Sequence, residues 1–388
     1  MPRPVAERAR VPDIDALRGL ALFGILMVNI WFFADSSTLG GGPDPATAAP
    51  ADIAVRFGVV TFFEGKFYLL FSLLFGYGFV VLQAAAGRDF VQVSVRRFAS
   101  LGVLGILHGL TLFYGDILLT YAVAGAMLLA SRGITARAAL GLAAAITVGV
   151  ALLFIAAAIL LIADGSAASR VLDPASPTRT ASEALVQNAR TYGVVLPSVV
   201  FFQGPLALAA FYAGSALARM GVLRPAAPPR RVLQRVVVLT LPLGLAASAG
   251  QAYLAVQGGT DDRLLGIGIS VAASPLLTVG YATAFLLLLG TRAGGMVRSA
   301  LAPAGQLALS NYIAQSALLC LIFTGYGLGL MDRLPAPAVV LLAVVLFAAQ
   351  SVASRIILAG FRTGPLEWIL RRVTYGGQRR RKPAGDAG

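Results

Sequence analysis

One histidine, His108, stands in a chain of 388 residues, within an apolar run where an ionisable side chain is costly and marks either a site or a buried partner. A neutral imidazole there keeps one ring nitrogen free as a base or nucleophile, although a lone buried histidine also serves as an interhelical hydrogen-bond donor. Asp116 follows eight residues later. On an uninterrupted helix that is about 12 Å further along, beyond direct reach, so Asp116 is expected at the outer mouth with Glu64 and Lys66. That group reads as a substrate site or as solvated loop charge. Asp15 and Arg18, three residues apart, share one face at the opposite end of the first apolar run, where they form an anchoring ion pair or a phosphate-binding or coenzyme A-binding site. Asn29, eleven residues past Arg18 and therefore about 16 Å along the same helix, lines the outer half of a cavity or bonds a neighbouring helix. Asn311 and Gln315, four apart on one face of the polar stretch from Gln306 to Ser316, have the same two readings: substrate contact or interhelical hydrogen bond. Arg355, in the inner third of the last apolar run, is expected to snorkel.

The elements that must position these groups follow from composition. Hydrophobic residues make up 58% of the chain and charged residues 12%, with mean hydropathy +0.81, and the apolar residues fall in blocks long enough to cross a hydrocarbon core. The fold class is therefore an all-α, polytopic membrane bundle. About ten spans are expected: 14–34, 67–86, 98–114, 117–131, 138–163, 193–218, 236–256, 264–290, 306–330 and 337–361. Both ends in the cytoplasm place twenty-two basic residues inside and seven outside, the positive-inside asymmetry. The net charge of +14 punctuates the apolar blocks rather than gathering on one soluble face, so nucleic acid is not an expected partner, whereas membrane lipid is. With one cysteine, Cys320, and one histidine, no metal site and no disulfide framework is expected.

Residues 1–376 are expected to form one membrane domain and 377–388 a disordered basic tail held near anionic lipid. The first apolar run carries Asp15 and Arg18 and lacks a clean cleavage site, so it reads as a helix rather than a signal peptide. Residues 164–192 read as the longest outer loop, with Thr180 and Glu183 forming a capping box that opens a short surface helix. Pro365, followed by Leu366, Trp368, Ile369 and Leu370 beside Arg371 and Arg372, predicts a helix lying in the cytoplasmic interface. Pro205, Pro242 and Pro275 fall inside spans and are expected to kink them. No internal repeat is evident.

Five stretches carry a family resemblance: DALRGLALFGILMVNI from Asp15, EGKFYLLFSLLFGYGF from Glu64, RRFASLGVLGILHGLTLFYGDILLTYAVAG from Arg96, QLALSNYIAQS from Gln306 and GPLEWILRRVTYG from Gly364. In this order they resemble the YeiB-like bacterial membrane proteins, a domain of unknown function, which implies a bacterial inner-membrane location. The opening motif is also similar to transmembrane acyltransferases, including the acyltransferase-three proteins and the lysosomal glucosaminide acetyltransferases, in which an aspartate and an arginine begin the first helix, here Asp15 and Arg18. Acyltransferase-three proteins place a histidine eleven residues after that arginine, where this chain has Asn29. The acetyltransferases place asparagine there and a functional histidine in the next outer segment, but residues 30–66 contain none. If acyl transfer occurs here, His108 must act from a different helix.

Two functions are therefore expected to compete. In the first, a cytoplasmic acyl-coenzyme A binds near Asp15 and Arg18, and His108 passes the acyl group to an envelope glycan or lipid acceptor near Glu64, Lys66 and Asp116. In the second, the same polar residues form a route for a small solute or lipid head group, coupled to protons through His108 and Asp116.

Overall fold

The computed structural model describes residues 12–40, 49–164, 177–222, 229–257 and 260–376. The basic tail expected at 377–388 lies outside the described residues. Among those described, every regular element is helical. In chain order the helices are α1 (Pro12–Asn29), α2 (Trp31–Ala34), α3 (Pro50–Phe62), α4 (Phe67–Ala86), α5 (Phe90–Thr111), α6 (Leu118–Ala130), α7 (Ala136–Asp164) and α8 (Ala181–Ser198). They continue with α9 (Gly204–Arg219), α10 (Arg230–Gln257), α11 (Thr260–Leu289), α12 (Gly294–Gln306), α13 (Ala308–Phe323), α14 (Ala336–Gly360) and α15 (Pro365–Tyr375).

Apolar side chains cover the outside as well as the core. On α10, Val238 is 70% exposed and Leu239 and Leu243 are 64% exposed, and α7 presents Leu152, Leu153 and Leu160 in the same way. A helix apolar all round suits lipid rather than water as its surrounding medium. Seven helical runs are long and apolar enough to cross a membrane, and eight if the pair α12 and α13, bent by 79°, counts as one. The chain is thus a multi-pass helical membrane protein.

Without a hydrophobic drive between helices in lipid, close packing of small residues holds such a bundle. Helices α4 and α9 interlock through glycine: a Cβ on Gly76 would meet the Phe211 carbonyl, and one on Gly214 would meet the Leu73 carbonyl. Helices α1 and α12 do the same through Gly19 against Leu301 and Gly305 against Asp15.

Polar bonds gather at two opposite ends. At one, Arg298 pairs with Asp13, Arg219 donates to the carbonyls of Arg132 and Ile134, and Glu367 of α15 accepts from both the backbone N–H and the hydroxyl of Ser310. At the other, Arg56 pairs with Asp35, and Asp332 accepts from the Ser36 backbone N–H.

Several expectations change in detail. Pro50–Phe62 is a helix within what reads as an outer segment. The capping bond is present, Thr180 Oγ1 accepting from Glu183 N–H, but the helix it opens does not stop at the surface. It runs from Ala181 to Ser198 and through a π-helical turn, Val199–Gln203, directly into α9. The reason is that the run from Val194 to Leu208 is apolar and continues the helix past the capped start. The span expected at 306–330 narrows to α13, which carries Asn311 and Gln315, and a separate helix, α12, precedes it and ends at Gln306, because the backbone of Leu307 leaves the helical region.

Candidate functional site

The reach between His108 and Asp116 overturns the continuous-helix estimate. Helix α5 ends at Thr111, and the N–H groups of Leu112 and Phe113 both turn back onto the His108 carbonyl, at 2.9 and 3.0 Å. The chain then folds over itself through Tyr114 and Gly115, and Asp116 Oδ1 arrives 2.8 Å from His108 Nδ1. Asp116 Oδ2 meanwhile accepts from Leu119 N–H at 3.0 Å, capping the first turn of α6. Asn188 of α8 fixes this turn by accepting from Tyr114 N–H and donating to the Gly109 carbonyl. Asn188 is invisible to a reading that places it in a surface loop; only the helical continuation past Thr180 could have flagged it.

Both members of the pair are sealed, His108 at 2% and Asp116 at 1% exposure. With Nδ1–H as the donor to Asp116 the lone pair falls on Nε2, and Nε2 is buried without a hydrogen-bond partner. Asp116 therefore belongs to the interior with His108, not to an outer mouth. The His108 ring packs on Tyr312 of α13 at 5.1 Å between centroids and on Phe113 at 6.3 Å.

Two cavities approach this pair from the two polar ends. The first, of about 390 Å³, is lined by Asp15, Arg18, Arg97, Arg362, Glu367 and Arg371 among others. Asp15 and Arg18 form the expected pair, Nη1 to Oδ1 at 3.0 Å, and Arg97 lies over the Phe75 ring. The second, of about 600 Å³, takes in Asn29, Arg56, Glu64, Gln251 and Arg263 within a largely apolar wall. Ile25, Ile117 and Tyr312 line both cavities, so one layer of side chains divides them. His108 and Asp116 line neither and stand behind Tyr312.

The remaining sequence candidates separate cleanly. Asp15 and Arg18 face the first cavity; Asn29 and Glu64 face the second. Lys66 does not join Glu64 there: it is 1% exposed, with Nζ donating to the Val60 carbonyl at 2.8 Å, because Gly65, at φ +80°, turns the chain between the two residues. Asn311 and Gln315 line neither cavity. Asn311 Nδ2 donates to the Ala304 carbonyl and to Ser354 Oγ, and Gln315 Nε2 donates to Gln350 Oε1, so the interhelical reading holds for both. Arg97, Arg362, Glu367 and Arg371 in the first cavity, and Arg56, Gln251 and Arg263 in the second, escape a sequence reading because each lies outside an expected span or, for Gln251, near the end of one, where polar groups are cheap. No group of three or more acidic, histidine or cysteine side chains able to hold a metal occurs among the described residues.

A bundle of apolar helices enclosing a His–Asp pair behind the wall that divides two cavities defines a class: a multi-pass membrane protein with a buried, oriented imidazole. Comparison with known proteins then gives the lineage. The chain is 30% identical over 407 aligned residues to "Uncharacterized protein YxaH" of Bacillus subtilis, covering 96% of both chains. It is 29% identical over 391 residues to "Uncharacterized protein YeiB" of Escherichia coli, covering 93% of this chain and 95% of that one. It is 26% identical over 380 residues to "Uncharacterized 39.9 kDa protein in amylase 3'region" of Bacillus acidopullulyticus. The family described as "Protein of unknown function (DUF418)" matches residues 217–377, and the chain belongs to this YeiB-like family. No solved structure matches it.

Proposed function

We propose that the chain is an acyltransferase of the bacterial cytoplasmic membrane that carries an acyl group from acyl-coenzyme A at the inner face to a hydroxyl or amine acceptor at the outer face. The topology in this reading has ten crossings with both ends inside. The helical run Pro50–Thr111 is broken at Gly65 and Gly87, both at positive φ, and holds two crossings, α4 and α5, besides the non-spanning α3. The short α6 and the bent pair α12 and α13 supply one each. The basic asymmetry of the loops supports this orientation, as does the clustering of Arg219, Arg132 and Arg298 at one end.

The observation that carries the reading is the His108–Asp116 pair, held with Nε2 unpartnered behind Tyr312, one of the three side chains common to both cavities. In the proposed chemistry the donor's phosphates lie against Arg18, Arg97, Arg362 and Arg371. A rotation of Tyr312 bares Nε2, which attacks the thioester carbonyl; the carbon–sulfur bond breaks and the coenzyme A thiolate leaves and takes up a proton. The acceptor oxygen or nitrogen then attacks the acyl carbon from the second cavity, loses its proton, and releases the neutral imidazole. Asp116 orients the ring and offsets its charge while the acyl group is attached.

Incubation of the purified protein with labelled acetyl-coenzyme A and longer acyl donors tests this. The expected result is thioester cleavage, with acyl label recovered on the His108 peptide and lost in His108→Ala. Neither cleavage nor label with any donor refutes it. A second reading, proton-coupled transport through the same pair, draws on the division of the cavities by a single layer, as alternating access requires. Solute uptake without thioester cleavage would decide for it.

A further inference from the structure

The second cavity has a thin side wall. The π-helical turn Val199–Gln203 contributes Phe202 to its lining, while Phe201, the preceding residue, is 72% exposed and does not line it. The turn therefore separates the cavity from the outside by one thickness of chain. Across from it Phe154 of α7 closes the gap, its ring 5.1 Å from that of Phe202. Pro197 and Pro205 flank the turn, and Pro205 has no N–H to offer the Phe201 carbonyl, so this stretch is the weakest part of the continuous helix from Ala181 to Arg219. Sixteen residues separate Gln203 from Arg219, about 24 Å of helix, which sets the turn near the far edge of a hydrocarbon core about 30 Å thick.

Inside, the polar end of the same cavity is incomplete. Gln251, 3% exposed, donates through Nε2 to Glu64 at 3.2 Å, and its Oε1 is buried with no partner. Turning the amide over would set oxygen against carboxylate, so Oε1 is held as an acceptor awaiting a donor. Glu64 offers further acceptor capacity, and two guanidinium groups, Arg56 and Arg263, face the same space. A carboxylate and an orphan amide oxygen call for hydroxyl or amine donors; Arg56, with N–H donors beyond its contact with Asp35, and the positive charge of Arg263 suit an anion. The largely apolar wall leading outward calls for hydrocarbon.

We propose that this cavity takes up a membrane phospholipid sideways from the outer leaflet. The turn 199–203 and the Phe154–Phe202 pair form its portal, the phosphate lies at Arg56 and Arg263, and the headgroup hydroxyl or amine bonds Gln251 Oε1 and Glu64. The inference deepens the proposed function by naming the acceptor class, and its test reads binding alone.

The full-length protein is placed in nanodiscs of phosphatidylethanolamine and phosphatidylglycerol with a trace of either lipid bearing a tail diazirine, irradiated, and mapped by peptide mass spectrometry. Adducts are expected to concentrate on Phe154, Phe201 and Phe202, and to fall about fivefold to tenfold there in Gln251→Leu, the loss of one or two hydrogen bonds, while labelling of the exposed face of α10 is unchanged. Even labelling around the whole apolar belt, in the wild type alone, overturns the proposal whether or not the variant folds. Equal suppression of the adducts by a tail-less glycerophosphodiester overturns it in favour of a soluble ligand. Loss of lipid capture with acyl labelling of His108 intact separates failure of this inference from failure of the acyl-transfer reading.

Discussion

Replacing Asp116 in two ways separates its structural role from its chemical one. The carboxylate receives two buried donors, His108 Nδ1–H at 2.8 Å and Leu119 N–H at 3.0 Å, and is 1% exposed. Asp116→Ala strips both donors of their acceptor, at about 1–3 kcal/mol each, so a loss of about 2–6 kcal/mol is expected. Asp116→Asn keeps the shape. The amide must aim its oxygen at Leu119 N–H, which leaves its NH₂ facing His108 Nδ1. The ring can meet that donor only by moving its own proton to Nε2, which removes the nucleophilic lone pair. The variant is thus expected to melt closer to the wild type than Asp116→Ala does, yet to lose about 10³-fold to 10⁴-fold in acyl transfer, the scale of a mis-set histidine tautomer. Because His108 is the chain's one histidine, ¹⁵N-histidine labelling gives a single imidazole whose two nitrogens report the tautomer directly. A wild-type ring protonated at Nε2, or an Asp116→Asn ring still protonated at Nδ1 with activity retained, refutes the reasoning.

Other expectations concern the frame around the pair. Gln315→Ala removes the bond to Gln350 and is expected to cost about 1 kcal/mol in thermal or detergent unfolding with no change in donor binding, since Gln315 touches neither cavity. Gly214→Leu forces a side chain into the Leu73 carbonyl and is expected to abolish recovery of monodisperse protein, whereas Gly141→Leu, with nothing within 4 Å of its Cβ, is expected to be silent. Glu367→Ala releases α15 from Ser310, so limited trypsin digestion at Arg371 and Arg372 is expected to accelerate several-fold. Arg18→Gln is expected to raise the KM for acyl-coenzyme A about tenfold while leaving His108 tautomer and melting temperature in place, as loss of one charged phosphate contact does.

The sequence carries the bundle plainly because lipid leaves little choice: helices must satisfy their own backbone, so hydropathy alone locates α1, α4, α7, α10, α11 and α14 to within a few residues. Local side-chain rules also transfer, as in the Asp15–Arg18 pair three residues apart and the Thr180 cap. What eludes a linear reading is the place where a helix stops. Nothing in the spacing of His108 and Asp116 announces that Leu112 and Phe113 fold back onto His108, and a 12 Å separation on a straight helix becomes a hydrogen bond. The same holds for Leu307, where a bend of 79° separates the helix of the expected span from α12, a helix in the segment before it. Polar residues near the ends of the expected spans, such as Arg97 and Gln251, look inexpensive in sequence and gain meaning only when several helices bring them to one cavity.

Which buried polar atoms signify chemistry is then a question of freedom. Several hydroxyls, on Ser94 and Ser248 for example, lie buried without a partner, but a serine rotor in a helix can swing to the carbonyl one turn back and lose little. The side chains of Asn311, Gln315 and Gln350 have closed their bonds across helices and have nothing left to offer. His108 Nε2 and Gln251 Oε1 are different in kind. Asp116 fixes the imidazole and Glu64 fixes the amide, so neither group can rotate its vacant atom toward another partner. A fixed, buried and unsatisfied acceptor costs the folded protein about 1–3 kcal/mol, and one such atom stands behind the wall between the cavities and the other on a residue that lines the second. Stability alone would favour filling both with apolar side chains. Their retention at these two places is what a ligand completing the hydrogen bonds would explain.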